Sequence, residues 1–231
     1  MADGLDIREL HTIDEMVAAS GVFEAVWGSP DGGMPPNLLR ALEHSGNYVV
    51  GVYDGERMVA ASAAFFGPPG SRSMHSHVTG VLADAQARGI GRALKAHQRE
   101  WAFAHDVGTI TWTFDPLIAR NAHFNLEVLG GRVTDYLVDH YGDMGDAINS
   151  GDESDRLHVA WHLASPVPTP DAADVVAVVP IPADVERLRV DDPDAAARAR
   201  REVRDAFHTH LAAGLVVGGF RTSEGYLFTR S

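Results

Sequence analysis

Apolar residues recur along most of the chain at either a two-residue or a three-to-four-residue spacing, and the period of each stretch predicts its element. Leu5 to Ile13 alternates weakly, as a first strand would. Asp14 then reads as the N-cap of a helix from Glu15 to Trp27, with Met16, Phe23 and Trp27 on one stripe. Gly28 to Pro36 is a loop of glycines and prolines, and Asn37 to Ser45 a short helix. Asn47 to Tyr53 and Met58 to Phe66 are β-rich runs joined by Asp54-Gly55, a hairpin signal. After the turn Gly67-Pro68-Pro69-Gly70, a third strand covers about Arg72 to Leu82.

The period then changes to that of a helix. From Gly89 to about His105, Ile90, Leu94, His97, Trp101 and Ala104 share a face. Gly108 ends this helix, and Thr109 to Phe114 predicts the next strand. Asp115-Pro116 turns the chain into a helix over Ala119 to Leu129, stopped by Gly130-Gly131. Val133 to Tyr141 and Leu157 to Leu163 predict two strands, separated by the polar loop Gly142 to Asp155. Hairpins outnumber βαβ units, so the fold class is mixed α/β (α+β) with a mostly antiparallel central sheet flanked by helices.

The prolines of Ser165-Pro166-Val167-Pro168-Thr169-Pro170 favour an extended linker. Beyond it, Val175 to Ile181 predicts a strand, and Asp192-Pro193 opens a helix with Val203, Phe207 and Leu211 on its buried stripe. Leu215 to Phe220 and Tyr226 to Thr229 close the chain as a hairpin. The expected organisation is a domain over 1–165, a linker over 166–170, and a small β-α-β-β extension over 171–231. That extension is expected to pack on the core or to mediate a homodimer.

Composition sets outer limits on function. A formal net charge of -13 repels phosphate backbones, which argues against a nucleic-acid partner. The chain has no cysteine, so a catalytic thiol and thiolate metal sites are excluded. Without a leader-like segment or an apolar run of about 20 residues, the expectation is a cytoplasmic protein with no membrane association. No histidine spacing points to a third ligand, so no metal is expected.

The informative segment is Gln86-Ala87-Arg88-Gly89-Ile90-Gly91-Arg92, between a strand and a helix. The first turn of a helix offers unpartnered N–H groups at the positive end of its dipole, and glycines let the backbone curl around an anion. Together they form a pyrophosphate cradle, with Arg88 and Arg92 adding charge. A P-loop needs Lys-Ser/Thr after its last glycine, where Arg92-Ala93 stands; the dinucleotide fingerprint needs a third glycine, where Leu94 stands.

The segment resembles the pyrophosphate motif of the GNAT superfamily of acetyltransferases: Gln or Arg, two residues, Gly, one residue, Gly or Ala. Gln86, Gly89 and Gly91 fill it, and Leu129-Gly130 ends the second helix where the family often has Leu-Gly-Phe. The resemblance runs from about Leu5 to Leu163. It implies acetyl-CoA as co-substrate and an amine acceptor. The N–H groups of Gln86 to Arg92 would hold the pyrophosphate, and Gly80, Val81 and Leu82 would pair with the pantetheine arm as an added strand does. In the family this strand splays from the next, helped by a bulge, and the thioester lies in the gap.

Transfer to an amine needs a base and a proton for the departing thiolate. His75 and His77, two apart on the strand before the loop, face one side and are the base candidates. Their spacing is similar to that of the two histidines in arylalkylamine N-acetyltransferases. Many family members protonate the thiolate with a tyrosine three residues before the Leu-Gly, a position held here by Leu126. Tyr136 and Tyr141 on the following strand are the alternative hydroxyls, and water is another. Asn121 and Asn125 are candidates for the pantetheine amides. Asp155-Arg156 reads as a surface ion pair, and the arginines between Arg198 and Arg204 as a solvated helix face. The expected function is acetyl-CoA-dependent N-acetyl transfer to a primary amine. The alternatives are a catalytically weak or regulatory CoA-binding protein, or transfer of another acyl group.

Overall fold

The computed structural model describes residues 5–28, 34–142, 144, 152–167 and 171–230. Parts of the predicted 28–36 loop, the 142–155 loop and the proline linker lie outside the described residues. The chain divides into two compact units, one up to Thr111 and one from Trp112 onward. No helix of the described residues is long and apolar enough to cross a membrane.

In the first unit the strands lie in the order β1 (Leu5–Glu9), β2 (Tyr48–Asp54), β3 (Arg57–Phe66), β4 (Ser73–Val81), β5 (Thr109–Phe114). The first four pair antiparallel, and β5 pairs parallel to β4. Helices α1 (Ile13–Trp27) and α2 (Pro36–His44) and helix α3 (Ile90–Ala104) complete the unit. The N-cap of α1 is Thr12, not Asp14. Its hydroxyl accepts from the Glu15 N–H while the Glu15 carboxylate accepts from the Thr12 N–H. This reciprocal pair uses the Thr-x-x-Glu spacing and satisfies two donors, which a lone aspartate one turn in cannot do. Met16, Ala19, Val22 and Phe23 bury one face of α1 against Val49, Ala61 and Ala63. The β2–β3 turn centres on Gly55-Glu56, with Asp54 paired to Arg57 and Gly55 left-handed (φ 62°), one residue later than predicted.

The second unit contains the end of β5, then β7 (Arg156–His162) and β6 (Arg132–Leu137) beside it. The helix predicted over Ala119 to Leu129 starts as one α-turn, α4 (Ala119–Ala122), and continues as a π-helical stretch from His123 to Val128. Periodicity cannot separate these forms over so few residues. The C-terminal residues form an antiparallel sheet ordered β8 (Val175–Val179), β10 (Gly225–Arg230), β9 (Leu215–Arg221), with α5 (Val185–Asp191) and α6 (Pro193–Ala212). Helix α5 has no apolar stripe to announce it, since it buries only Val185. Phe207 of α6 packs within 5.2 Å of the rings of Tyr136, Tyr226 and Phe228.

The arginines of α6 overturn the solvated-face expectation. Arg200 is 1% exposed and binds Asp115 (3.1 Å) and Asp152 (2.7 Å). Arg189 of α5 binds the same two carboxylates at 2.5 and 3.1 Å. Arg204 grips Asp155 with two nitrogens, at 2.9 and 2.7 Å. Asp155 and Arg156 are therefore no surface pair: both are buried, and Arg204 is the carboxylate's ionic partner. Burial pushes Asp115 and Asp152 upward, but the facing guanidiniums hold both below the usual carboxylate range.

Candidate active site

The site in the first unit is built on one irregular strand. The β3–β4 register runs Ala63 with Val78, then Ala64 with Ser76, so His77 is an extra residue opposite that step. Such a bulge re-aims the side chains on either side of it. Before the bulge, Ser76 points toward α3, where its hydroxyl meets the Lys95 ammonium at 2.9 Å. After it, Gly80 lies under α1: a Cβ there would sit 3.2 Å from the Phe23 and Trp27 side chains. Thr79 now faces the other way and shares a hydrogen bond with Ser62 (2.8 Å).

The same strand parts from β5. Only Ser73, Met74 and His75 pair with it, opposite Thr109, Ile110 and Thr111. The β4 residues from Ser76 to Val81 lie past the last of these pairs, an open strand edge of the kind an extended ligand pairs with. His75 stands at the fork, its Nδ1 3.3 Å from the Thr111 hydroxyl. His75 and His77 pack together on Phe65, with ring centroids 5.3 and 5.7 Å from it and 6.1 Å from one another. The shared side inferred from a two-residue spacing thus holds, with the bulge beginning at His77. Surrounding protein lowers the His77 pKa, because burial disfavours the imidazolium. Its ring nevertheless keeps access to solvent.

Beyond Val81 a single 3₁₀ turn (Ala83–Ala85) leads into the glycine loop. Ala87 and Gly89 are both left-handed (φ 62° and 75°), so the backbone reverses twice around Arg88 before α3 begins. The first helical hydrogen bond joins the Ala93 N–H to the Gly89 carbonyl, leaving the N–H groups of Ile90, Gly91 and Arg92 without helical acceptors. A Cβ at Gly89 or Gly91 would meet no atom within 4 Å. The space beside these glycines is thus open, next to a helix start that offers main-chain donors, which fits a pyrophosphate. Arg88 binds Asp54 (2.6 Å) and Arg57 binds Asp84 (2.7 Å), tying the loop to the β2–β3 hairpin. Gln86 is exposed, and its Nε2 donates back to the Val81 carbonyl at 3.4 Å. Arg92 is exposed.

Lys95 is the residue that sequence reading passed over. It lies beside Leu94 on α3, and its Nζ donates to Ser76 Oγ and to Gln98 Oε1 (3.0 Å). Burial lowers its pKa to about 7. Its neighbours along the helix carried the apolar stripe, and a single lysine beside such a stripe reads as a solvated edge. Only the placement of Ser76 shows otherwise.

The remaining candidates belong to the second unit. Tyr136 is buried, and its hydroxyl donates to Asp155 Oδ2 (2.6 Å). Burial and that carboxylate raise its pKa strongly. Tyr141 lies 2.9 Å from the Thr113 hydroxyl, with the Arg156 guanidinium 5.5 Å from its ring centre. Asn125 is buried in the π-helical stretch, where its carbonyl accepts from Gly131 (2.8 Å). Asn121 is half-buried one turn earlier. Leu126 is buried.

Residues 13–124 match the model of the Acetyltransferase (GNAT) family. A putative GNAT-family acetyltransferase from Desulfovibrio desulfuricans superposes with a TM-score of 0.56 at 17% identity, covering 69% of this chain and 99% of its own. The ribosomal-protein-S18-alanine N-acetyltransferase of Escherichia coli gives a TM-score of 0.57 at 16% identity, covering 72% and 99%. A putative acetyltransferase from Salmonella typhimurium, solved with its cofactor acetyl-CoA, gives 0.55 at 15% identity, covering 74% and 99%. No curated protein matches the chain. Residues 13–124 therefore belong to the acetyltransferase (GNAT) family, and the chain shares the fold of its members.

Proposed function

We propose that the protein is an acetyl-CoA-dependent N-acetyltransferase, moving the acetyl group directly to a primary amine while donor and acceptor are both bound. The observation that carries this reading is the junction of two binding devices: the open edge of β4 runs straight into a helix start lined by main-chain donors. Family membership supplies the class of chemistry, acyl transfer, and the Salmonella neighbour binds acetyl-CoA. In this reading the N–H groups from Gln86 to Arg92 hold the pyrophosphate, and Gly80 to Leu82 pair with the pantetheine arm.

When bound, acetyl-CoA supplies an activated acyl carbon. The protein's own part is to orient it and to manage protons. His77, kept neutral by its surroundings and open to solvent, accepts the proton of the attacking amine, with His75 beside it. Tyr136 is left out of this assignment because its proton is committed to Asp155. The net charge of -13 would draw a cationic amine toward the protein.

Thiol release from acetyl-CoA, measured across a panel of small amines and peptide amines, tests the proposal. Turnover that falls in His77→Ala while CoA binding persists would support it. CoA binding with no turnover on any amine would favour the second reading, a catalytically weak CoA-binding protein, which Leu126 at the usual tyrosine position motivates. Absence of CoA binding would defeat both.

A further inference from the structure

The fork between β4 and β5 has two faces, and the bulge at His77 gives them different chemistry. The imidazoles of His75 and His77 occupy the face carrying Phe65. On the other face, at Ser76, the first β4 residue past the last β5 pair, stands the Lys95 side chain of α3. A half-buried ammonium at a fork of two strands is a costly feature to build into a helix that buries Ile90, Leu94, Gln98, Trp101 and Ala102. The ammonium's acceptors include two that do not titrate, Ser76 Oγ and Gln98 Oε1.

We propose that Lys95 is a catalytic residue: it contacts the CoA sulfur at the fork and gives a proton to it as the thiolate departs. This rests on the acetyl-CoA reading above. In the step, the C–N bond to the acceptor forms and the C–S bond breaks, with its electron pair leaving on sulfur. Lys95 Nζ delivers one proton to that sulfur. The proton shed by the amine goes to the imidazole on the opposite face, and solvent exchange restores both groups. Burial brings Lys95 to about 7, matched to operating pH, so it can give a proton to a thiolate and regain one from water. The role is the one for which Leu126 has no hydrogen to offer.

CoA itself is the probe, so no acceptor need be known. Its bound thiol is titrated through thiolate absorbance in the wild-type protein and in Lys95→Met, with affinity measured calorimetrically. An ammonium in contact with sulfur favours the thiolate, and Lys95 is half protonated near 7, so a fraction of the bound thiol should ionise about one pH unit lower in the wild type, a phase absent in Lys95→Met. CoA affinity should agree between the two within about threefold, since the cradle is main chain. Lys95→Arg keeps the charge but cannot release a proton near neutrality, so it should restore the thiol titration yet leave turnover low. Equal CoA binding with identical thiol titrations in wild type and Lys95→Met would overturn the assignment. Loss of CoA binding in both would overturn the acetyl-CoA reading and this inference together.

Discussion

Replacing Arg200 by methionine puts the buried ion cluster of the second unit to a quantitative test. Methionine is close to arginine in length and keeps α6 filled, so the change removes charge more than volume. Asp115 and Asp152 each lose a guanidinium partner, and Arg189 alone is left to serve both. Breaking a buried pair by deleting one partner costs about 3–5 kcal/mol, because the remaining charge stays desolvated. For a protein of this size that corresponds to a fall in Tm of about 6–20 °C. Both carboxylates have folded pKa values below the unfolded 3.8, so the stability they contribute is present above that pH. It is lost as pH falls through the depressed folded values. Urea unfolding at pH 7 and at several points below pH 4 therefore gives a signature: a large deficit at neutral pH that closes in acid. A deficit under about 1 kcal/mol at pH 7, or one that is independent of pH, would refute the claim that Arg200 is held in place by charge.

Three further outcomes follow from the same geometry. Lys95→Met should stabilise the fold by up to a few kcal/mol below pH 7, where a lysine held near 7 instead of 10.5 costs most, and the gain should vanish as pH rises toward 10.5; unfolding midpoints at pH 6, 8 and 10 check this. Gly89→Val forces a β-branched side chain into a left-handed position facing the open cradle, so CoA affinity should fall at least tenfold while Tm drops by only a few degrees, read by calorimetry and thermal melts. The lowered pKa of His77 keeps its base form available in mild acid, so the acid limb of the pH–rate profile should lie below the ordinary imidazole value of 6.5 and move or disappear in His77→Ala.

Where chemistry was carried by the backbone, it was legible in one dimension. The cradle from Gln86 to Gly91 needs only glycines at set positions and a helix that starts after them, and both are local properties of the chain. The strand before it, the fork-forming strand after it and the C-terminal hairpin announce themselves by period and turn residues in the same way. The partners of charged side chains were not legible. Arg200 and Arg204 stand among arginines that look like a solvated face until Asp115, Asp152 and Asp155, 48 to 85 residues away, close over them. Lys95 reads as a helix edge until Ser76, 19 residues earlier, is seen beneath it. The resemblance implied a bulge on this strand, but its position at His77 depends on how two strands register and not on either alone. Local conformation follows from near neighbours along the chain. The state of a titratable group depends on what the fold brings within a few ångströms, and that is a property of tertiary structure.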